Sequence, residues 1–357
     1  MAMSAPSSPL RRLVPIALAV LYTSAARAGV NRWTSNGPPD GLNTVFVDPT
    51  APETGVWKRT GDEAEWENVG PFQVFIAVPA VAPGGRVYAS GGAVVNNGYA
   101  DVLWESADGG ITWTILRDGG LQTSYSVTVD AFDPDVVYIA TYFSHGPVSR
   151  SSLERVGGDG SWTAPGAGEP IVFGGVVTDP VTRGTLYENS NRGIFMTADS
   201  GATWTLINDS MTGLIAVDPY ISSTLYAIWS PPVPGETGRT DFYKSVDGGK
   251  TFEQSSQGIE DAMDIRGFVA DPGHPGRLFV TTYAGGVFRS DDYGAHWRSM
   301  NEGLVGPFAG GIAIDPSGTH LHAVTLSGIS DFTIAERDSV SLRQSGNRKP
   351  VELRERP

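Results

Sequence analysis

Five charged residues in this sequence could hydrolyse a glycosidic bond if the fold brings them together. Asp261 and Asp264 are carboxylic acids, and glycoside hydrolysis uses two carboxyl groups across the scissile bond. Arg117, Arg192 and Arg266 lie in separate segments, and guanidinium groups bind a planar carboxylate such as that of an acidic sugar. The alternative is that these residues are ordinary solvated surface charges.

Four aromatic residues form a second candidate set, for binding rather than catalysis: Tyr99, Tyr142, Trp229 and Tyr283. They lie in or beside predicted loops, of which the longest span residues 91–101, 142–151 and 230–241. Aromatic faces can stack on sugar rings or bury against a partner protein. The alternative is that each ring covers a neighbouring repeat unit.

Composition excludes several other function classes. The 357 residues carry a formal net charge of −14, which opposes binding to nucleic acid or to an anionic membrane surface. The chain has no Cys, so disulfides, thiolate metal sites and a Cys nucleophile are excluded. His320 and His322 could ligate a metal but lie in a strand pattern, and we predict no metal and no cofactor.

A short motif recurs four times and organises the chain. It reads Ser or Thr, any residue, Asp, any residue, Gly, any residue, Thr or His, then an aromatic, at residues 106–113, 197–204, 245–252 and 290–297. The Asp carboxylate can accept backbone N–H groups of its own turn, and the Gly can take a positive φ. We therefore interpret Asp108, Asp199, Asp247 and Asp292 as structural turn residues rather than calcium ligands, which would need six or more converging oxygens.

Two further patterns count the repeats. Seven apolar runs, most of them ending in Asp-Pro, open a unit, and an aromatic near each motif closes it. The last unit lacks its closing aromatic, but Arg32-Trp33-Thr34 precedes the first opening and could supply the missing outer strand. The sequence thus predicts an all-β chain with seven four-stranded units closed by the N-terminal strand. Six full units plus one defective unit, between Val45 and Trp66, is the alternative.

These motifs resemble the Asp-box, or BNR, repeat found in the β-propellers of sialidases, xyloglucanases, sortilin-type receptors and photosystem II assembly factors. The resemblance implies a single β-propeller with its Asp-boxes on one face and any ligand site on the opposite face. The sequence departs from the enzymes of this superfamily, since the xyloglucanase Thr-Asp-x-Gly-Gly segment corresponds here to Thr282-Tyr283-Ala284-Gly285-Gly286. The sialidase Arg motif and the receptors' Cys-rich module are also missing.

Both ends of the chain differ in composition from its repeats. Arg11 and Arg12, a short apolar run and Ala26-Arg27-Ala28 predict a signal peptide at residues 1–28, cleaved near Ala28. The propeller is expected at residues 29–336 and a disordered tail at 337–357. We expect a secreted or periplasmic monomer with no membrane span in the mature chain.

Two functions stay open from the sequence. The first is an exported propeller that binds an envelope or extracellular protein or glycan through the face opposite the Asp-boxes. The second is a glycoside hydrolase of the sialidase or xyloglucanase type, with carboxylates and arginines in a central pocket.

Overall fold

The computed structural model describes about two thirds of the chain. The described residues are 34–35, 56–58, 67–70, 74–82, 86–95, 98–119, 123–145, 148–157, 162–163, 172–190, 192–230, 239–260, 264–304, 306, 309–314, 318–325 and 328–334. The predicted signal peptide, the predicted tail and Asp261 lie outside these residues.

Across the described residues every regular element is a β-strand, and there are 26 of them. The first thirteen are β1 Thr34–Ser35, β2 Val56–Lys58, β3 Glu67–Gly70, β4 Val74–Val81, β5 Val87–Val95, β6 Gly98–Ser106, β7 Thr114–Gly119, β8 Thr123–Val129, β9 Val137–His145, β10 Val148–Val156, β11 Trp162–Thr163, β12 Val172–Thr178 and β13 Leu186–Ser190. The others are β14 Gly193–Thr197, β15 Thr205–Asn208, β16 Leu214–Val217, β17 Leu225–Trp229, β18 Asp241–Ser245, β19 Glu253–Gln254, β20 Ile265–Ala270, β21 Leu278–Thr282, β22 Gly286–Ser290, β23 Arg298–Ser299, β24 Ala309–Ile314, β25 His320–Thr325 and β26 Gly328–Thr333.

The strands form antiparallel sheets that follow the order of the chain. Sheet 1 holds β2 and β3, and sheets 2 to 6 hold β4–β7, β8–β11, β12–β15, β16–β19 and β20–β23. Sheet 7 has the order β1-β26-β25-β24, with Thr34 opposite Asp331 and Ser35 opposite Ser330. Successive four-stranded antiparallel meanders are the architecture of a β-propeller.

Two predicted long loops are instead strands. β5 and β6 leave only residues 96–97 between them, and β9 and β10 leave only residues 146–147. The predictions of loops at 91–101 and 142–151 were therefore wrong. Gly occurs in both segments, with Asn in the first and Pro in the second, whereas the β-branched pair Val94-Val95 favours continuation of the first hairpin.

Apolar side chains fill the spaces between consecutive sheets. Between sheets 5 and 6, for example, Tyr226 and Phe242 pack with Leu278 and Val280. Similar clusters join sheets 2 and 3, 3 and 4, 4 and 5, and 6 and 7. The second strand of a sheet is buried on both faces, as in β21, whereas the outermost β23 is exposed. Burial from both neighbours explains why these second strands read as continuous apolar runs.

Each sheet presents two ends with different chemistry. At one end lie the loops between the first and second strands, which include the Asp-Pro loops, and in sheets 2, 4, 5 and 6 the Asp-box turns between the third and fourth strands. This end is called the Asp-box end. The second-to-third strand turn and the start of the first strand meet at the opposite end, since Ile265 pairs with Thr282 and the Tyr283 N–H donates to the Asp264 carbonyl at 2.9 Å.

Candidate functional site

The four Asp-boxes share one set of hydrogen bonds. In the first, the Ser106 hydroxyl donates to Asp108 Oδ1 at 2.8 Å and accepts the Gly110 N–H at 2.7 Å. The Thr112 N–H donates to Asp108 Oδ1 at 2.8 Å, and its hydroxyl donates to Oδ2 at 2.6 Å. The same pattern recurs around Asp199, Asp247 and Asp292. These carboxylates are occupied by the turn that they stabilise.

Hydrogen bonding to the ionised carboxylate lowers the pKa of the Asp-box aspartates. The Thr112 hydroxyl, the Thr112 N–H and the Ser106 hydroxyl lower the pKa of Asp108 from 3.8 to about 2. The pKa values of Asp199 and Asp247 also fall to about 2, through their own Thr partners. A carboxylate held ionised in this way is a poor proton donor near neutral pH.

A required glycine fixes the shape of each Asp-box. Gly294 has φ +85°, and a Cβ there would lie 2.8 Å from a ring carbon of Phe242. A side chain at this position would therefore force the turn away from the core between sheets 5 and 6.

The Asp-Pro loops contain a second set of structural carboxylates, which the sequence reasoning missed. Asp218 Oδ1 accepts the N–H groups of Tyr220 and Ile221 at 2.9 and 3.0 Å, and its Oδ2 accepts the Tyr226 hydroxyl at 2.7 Å. Asp130 and Tyr138 repeat this arrangement. Burial and the neighbouring Asp218 raise the pKa of Tyr226. The signal available in the sequence was an Asp followed by Tyr eight residues later.

An arginine cluster lies at the Asp-box end of sheet 6. Asp291 Oδ1 accepts from Arg289 Nε at 2.9 Å and Nη2 at 2.8 Å, and from Arg277 Nε at 3.3 Å. Burial would raise the pKa of Asp291, but these arginines lower it overall. Arg277 also contacts the buried Asp271 at 3.3 Å. Arg298 Nη2 lies 3.5 Å from Asp291 Oδ2, so these ion pairs all form within one sheet.

The opposite end of sheet 6 brings three predicted site residues together. Arg266 Nη2 donates to Asp264 Oδ2 at 3.1 Å, and the Arg266 guanidinium carbon lies 5.2 Å from the centre of the Tyr283 ring. Tyr283 is 47% exposed, and Arg266 Nε is a buried donor with no hydrogen-bond acceptor among the described residues. This group is called the Tyr283 site. It offers an aromatic face beside a carboxylate and a guanidinium.

Backbone geometry holds the Tyr283 site in place. Asp264 has φ +44°, an uncommon value for a residue with a side chain. In the adjoining turn the Gly285 N–H donates to the Thr282 hydroxyl at 2.9 Å, which donates to the Gly286 carbonyl at 3.2 Å. Strained backbone that the surrounding structure enforces is often found at functional sites.

Sheet 5 borders the Tyr283 site. The Thr240 hydroxyl donates to the carbonyl of Ile265, the residue between Asp264 and Arg266, at 3.1 Å. Beside it, Arg239 Nε donates to Asp241 Oδ1 at 3.1 Å. Further along, Trp229 packs edge-on to Tyr243 with ring centres 5.4 Å apart and covers the core between sheets 4 and 5.

The other predicted residues have separate partners. Arg117 lies on β7 and forms a 2.8 Å ion pair with the buried Glu154 of the next sheet. Burial raises the pKa of Glu154 although Arg117 opposes the shift. Arg192 is exposed in the β13–β14 turn with its guanidinium 5.6 Å from the Phe195 ring centre. Tyr99 and Tyr142 lie on β6 and β9, and Asp261 lies outside the described residues.

The two histidines considered as metal ligands have protein partners. His322 is buried, with Nδ1 2.7 Å from Asp331 Oδ1, and His320 Nδ1 lies 2.8 Å from the Thr319 hydroxyl. Within the described ranges no three His, Asp or Glu residues are grouped as metal ligands would be. Nor does any helix in that part of the chain have the length and apolar character needed to cross a membrane.

Comparison with known proteins finds similarity to a xyloglucanase, without assigning the chain to a family. No family model matches. The xyloglucanase of Hypocrea jecorina (strain QM6a) is 25% identical over 281 residues, which cover 75% of this chain but only 32% of that protein. The chain thus spans about a third of the length of this curated relative.

Solved structures support the fold. The GH74 enzyme of Niastella koreensis is 20% identical with a TM-score of 0.55, and the match covers 71% of this chain and 44% of that enzyme. YCF48, solved bound to a D1 peptide, is 17% identical with a TM-score of 0.41, over 85% of this chain and 99% of its own. The first likeness shows a propeller fold, and no argument rests on the second because its TM-score is low.

Proposed function

We propose that this chain is an exported propeller that binds a glycan at the end opposite its Asp-boxes, through the Tyr283 site. The proposal rests on one observation: Asp264, Arg266 and a half-exposed Tyr283 lie together at the end of sheet 6 opposite the Asp-box. A Tyr ring can stack on the C–H face of a sugar. The carboxylate accepts and the guanidinium donates hydrogen bonds to hydroxyl groups.

The proposal includes a seven-bladed ring in which sheet 1 is a reduced blade. Six four-stranded sheets, one two-stranded sheet and the pairing of β1 with β26 support it. Closure by the N-terminal strand would cover the free edge of β26. The basic and apolar segment before Gly29 supports export, with cleavage near Ala28.

The choice of a neutral glycan rests on charge as well as on the relative. The carboxylate of Asp264 already faces Arg266, so the site offers a balanced pair rather than a bare cation for an acidic sugar. The three arginines considered for an acidic sugar contact Glu154, the Phe195 ring and Asp264 respectively. The similarity to a xyloglucanase makes β-glucans the first ligands to test.

The binding test compares variants at the two ends of the molecule. Calorimetric titration of the mature chain with xyloglucan oligosaccharides should give an affinity that Tyr283→Ala lowers about tenfold, equivalent to about 1.4 kcal/mol. Tyr283→Phe should keep most of the affinity because the ring remains. Tyr220→Ala, a half-exposed Tyr at the Asp-box end, is the matched control and should leave binding unchanged. Equal binding by Tyr283→Ala and the unaltered chain would refute the site.

A second candidate, glycoside hydrolysis, is favoured by the xyloglucanase relative. It requires a second carboxyl group within about 10 Å of Asp264. The purified chain should then release sugar from β-glucans or aryl sialosides, and Asp264→Asn should abolish turnover while binding persists. Binding without turnover across this panel leaves the binding proposal standing and removes the hydrolase.

A further inference from the structure

The Asp-box end carries an exposed apolar surface that the proposed function does not use. Phe132, Val181, Tyr220 and Ile221 are each 37–45% exposed. They lie in the Asp-Pro loops of three consecutive sheets, 3, 4 and 5. This set is called the apolar strip.

Contacts between neighbouring loops hold the parts of the strip together. Arg183 Nη2 donates to the Phe132 carbonyl at 3.3 Å, and its guanidinium carbon lies 5.2 Å from the centre of the Phe132 ring. The Thr182 hydroxyl donates to the Ser222 hydroxyl at 2.9 Å. The residues beside these contacts, Val181 and Ile221, are therefore brought near each other on adjoining loops.

The surroundings of the strip are acidic. Asp133 and Asp135 follow Phe132 in the first loop, where Asp135 also pairs with Arg86. The ionised Asp-box carboxylates Asp199 and Asp247, although bonded within their own turns, add negative charge at the same end of sheets 4 and 5. Arg183 and Lys250 are the exposed cations described in these loops and turns. An apolar centre with an acidic border suits an extended segment that carries both apolar and basic side chains.

The chain itself supplies such a segment at this end. Ile334, at the end of β26, is buried, and its N–H donates to the Thr319 carbonyl at 2.8 Å. Because Thr319 precedes β25 at the Asp-box end, the chain leaves sheet 7 there. Residues 335–357, which lie outside the described residues, follow directly.

The sequence of this segment matches the strip in both properties. The pattern Val-x-Leu-Arg occurs twice, at residues 340–343 and 351–354. In an extended chain Val and Leu two residues apart point to the same side. The whole chain has a net charge of −14, but residues 337–357 hold six basic and three acidic residues and are therefore positively charged. The basic residues are Arg337, Arg343, Arg348, Lys349, Arg354 and Arg356.

The segment is also long enough. Its residues can span roughly 70 Å when extended, whereas a compact domain of this length is roughly 50 Å across. Any point on the Asp-box end is therefore within reach of Ile334.

We propose that residues 335–357 bind back onto the Asp-box end of their own chain. The Val and Leu of the Val-x-Leu-Arg segments cover the apolar strip, and the negative charge of this end attracts the arginines without displacing the turn hydrogen bonds. The Tyr283 site, at the opposite end, stays open.

The test uses the full mature chain, whose lack of Cys allows a single spin label. A nitroxide on Ser341→Cys lies between Val340 and Leu342 and should tumble several times more slowly than one on Ser345→Cys, outside the pattern. Val181→Gln with Ile221→Gln should restore fast tumbling at residue 341, since it removes apolar contact from exposed positions. Tyr283→Ala is the matched control and should leave the spectrum unchanged.

Three results would overturn the proposal. One is equally fast tumbling at residue 341 with and without the strip substitutions. Another is slow tumbling that persists after both strip substitutions, which would place the segment elsewhere. The third is slow tumbling that disappears on dilution, because the segment would then bind a second copy. Partial release by added salt, at constant protein concentration, is the expected contribution of the arginines.

Discussion

Asp and Arg residues occur at both ends of sheet 6, but the two ends differ in how many hydrogen bonds these side chains make. At the Asp-box end Asp271, Asp291 and Asp292 each accept several hydrogen bonds from their own turn or from arginines. At the opposite end Asp264 faces Arg266 alone among side chains whose bonds are described, and Arg266 keeps a buried Nε without an acceptor in the described part of the chain. Carboxylates saturated by internal donors stabilise the fold, whereas a less saturated pair can still bind something else.

This difference follows from what each end must do. The Asp-box turn repeats in sheets 2, 4, 5 and 6, and its Asp accepts the same hydrogen bonds from the turn each time. The opposite end varies, with a two-residue turn after Ser190 and a three-residue turn after Thr282. Variation on a repeated scaffold is where binding residues are expected.

The largest expected effect compares Asp218 with Asp264. Asp218→Ala should lower the free energy of unfolding by about 3 kcal/mol, because the buried Tyr226 hydroxyl and two partly buried N–H groups lose their acceptor. Asp264→Ala should cost under about 1 kcal/mol, since its partly exposed ion pair is screened. Urea unfolding monitored by Trp fluorescence measures both. Similar losses of unfolding free energy for the two variants would contradict the proposed difference between the two ends.

A smaller effect is expected at the arginine cluster. Asp291→Asn should lower stability by about 2 kcal/mol, because it removes the negative charge that faces the buried Arg289 guanidinium at 2.8 Å. The loss should be smaller than for a fully buried pair because the Asp291 side chain is 38% exposed. The double variant Asp291→Asn, Arg289→Met should recover part of the loss. A double variant less stable than Asp291→Asn alone would contradict the charge explanation.

Much of the fold could be predicted because local chemistry repeats. The Asp-box residues from Ser106 to Trp113 locate a turn between strands, and alternating apolar runs locate the strands around it. The all-β propeller follows from counting these units. The hairpins at residues 91–101 and 142–151 were misread because Gly occurs in both, with Asn in the first and Pro in the second, although strand pairing continues through most of both segments.

The candidate site was harder to predict because it depends on neighbours distant in sequence. Asp264, Arg266 and Tyr283 were all named from the sequence, but nothing in their spacing indicated that sheet 6 groups them apart from Arg117 and Arg192. The buried Glu154, which pairs with Arg117 across two sheets, carries no sequence motif. A local sequence pattern cannot identify an interaction partner that another sheet contributes.

The smallest expected effect concerns the pH dependence of one Asp-box. The pKa of Asp108 is about 2 in the folded chain and 3.8 without the turn. A depressed pKa contributes stability that is fully present above about pH 4 and is lost as pH falls towards 2. Asp108→Asn should therefore flatten the decline of Tm between pH 4 and 2. Thr112→Val should flatten it as well, because the Thr112 hydroxyl is the largest cause of the shift.

The matched comparison is Tyr283→Phe, which changes the opposite end without touching an Asp-box. Its Tm should decline with falling pH as steeply as that of the unaltered chain. If Asp108→Asn declined as steeply too, Asp108 would be no more saturated than a surface carboxylate. The contrast between the two ends would then rest on burial, as at Asp218, rather than on hydrogen bonding within the turn.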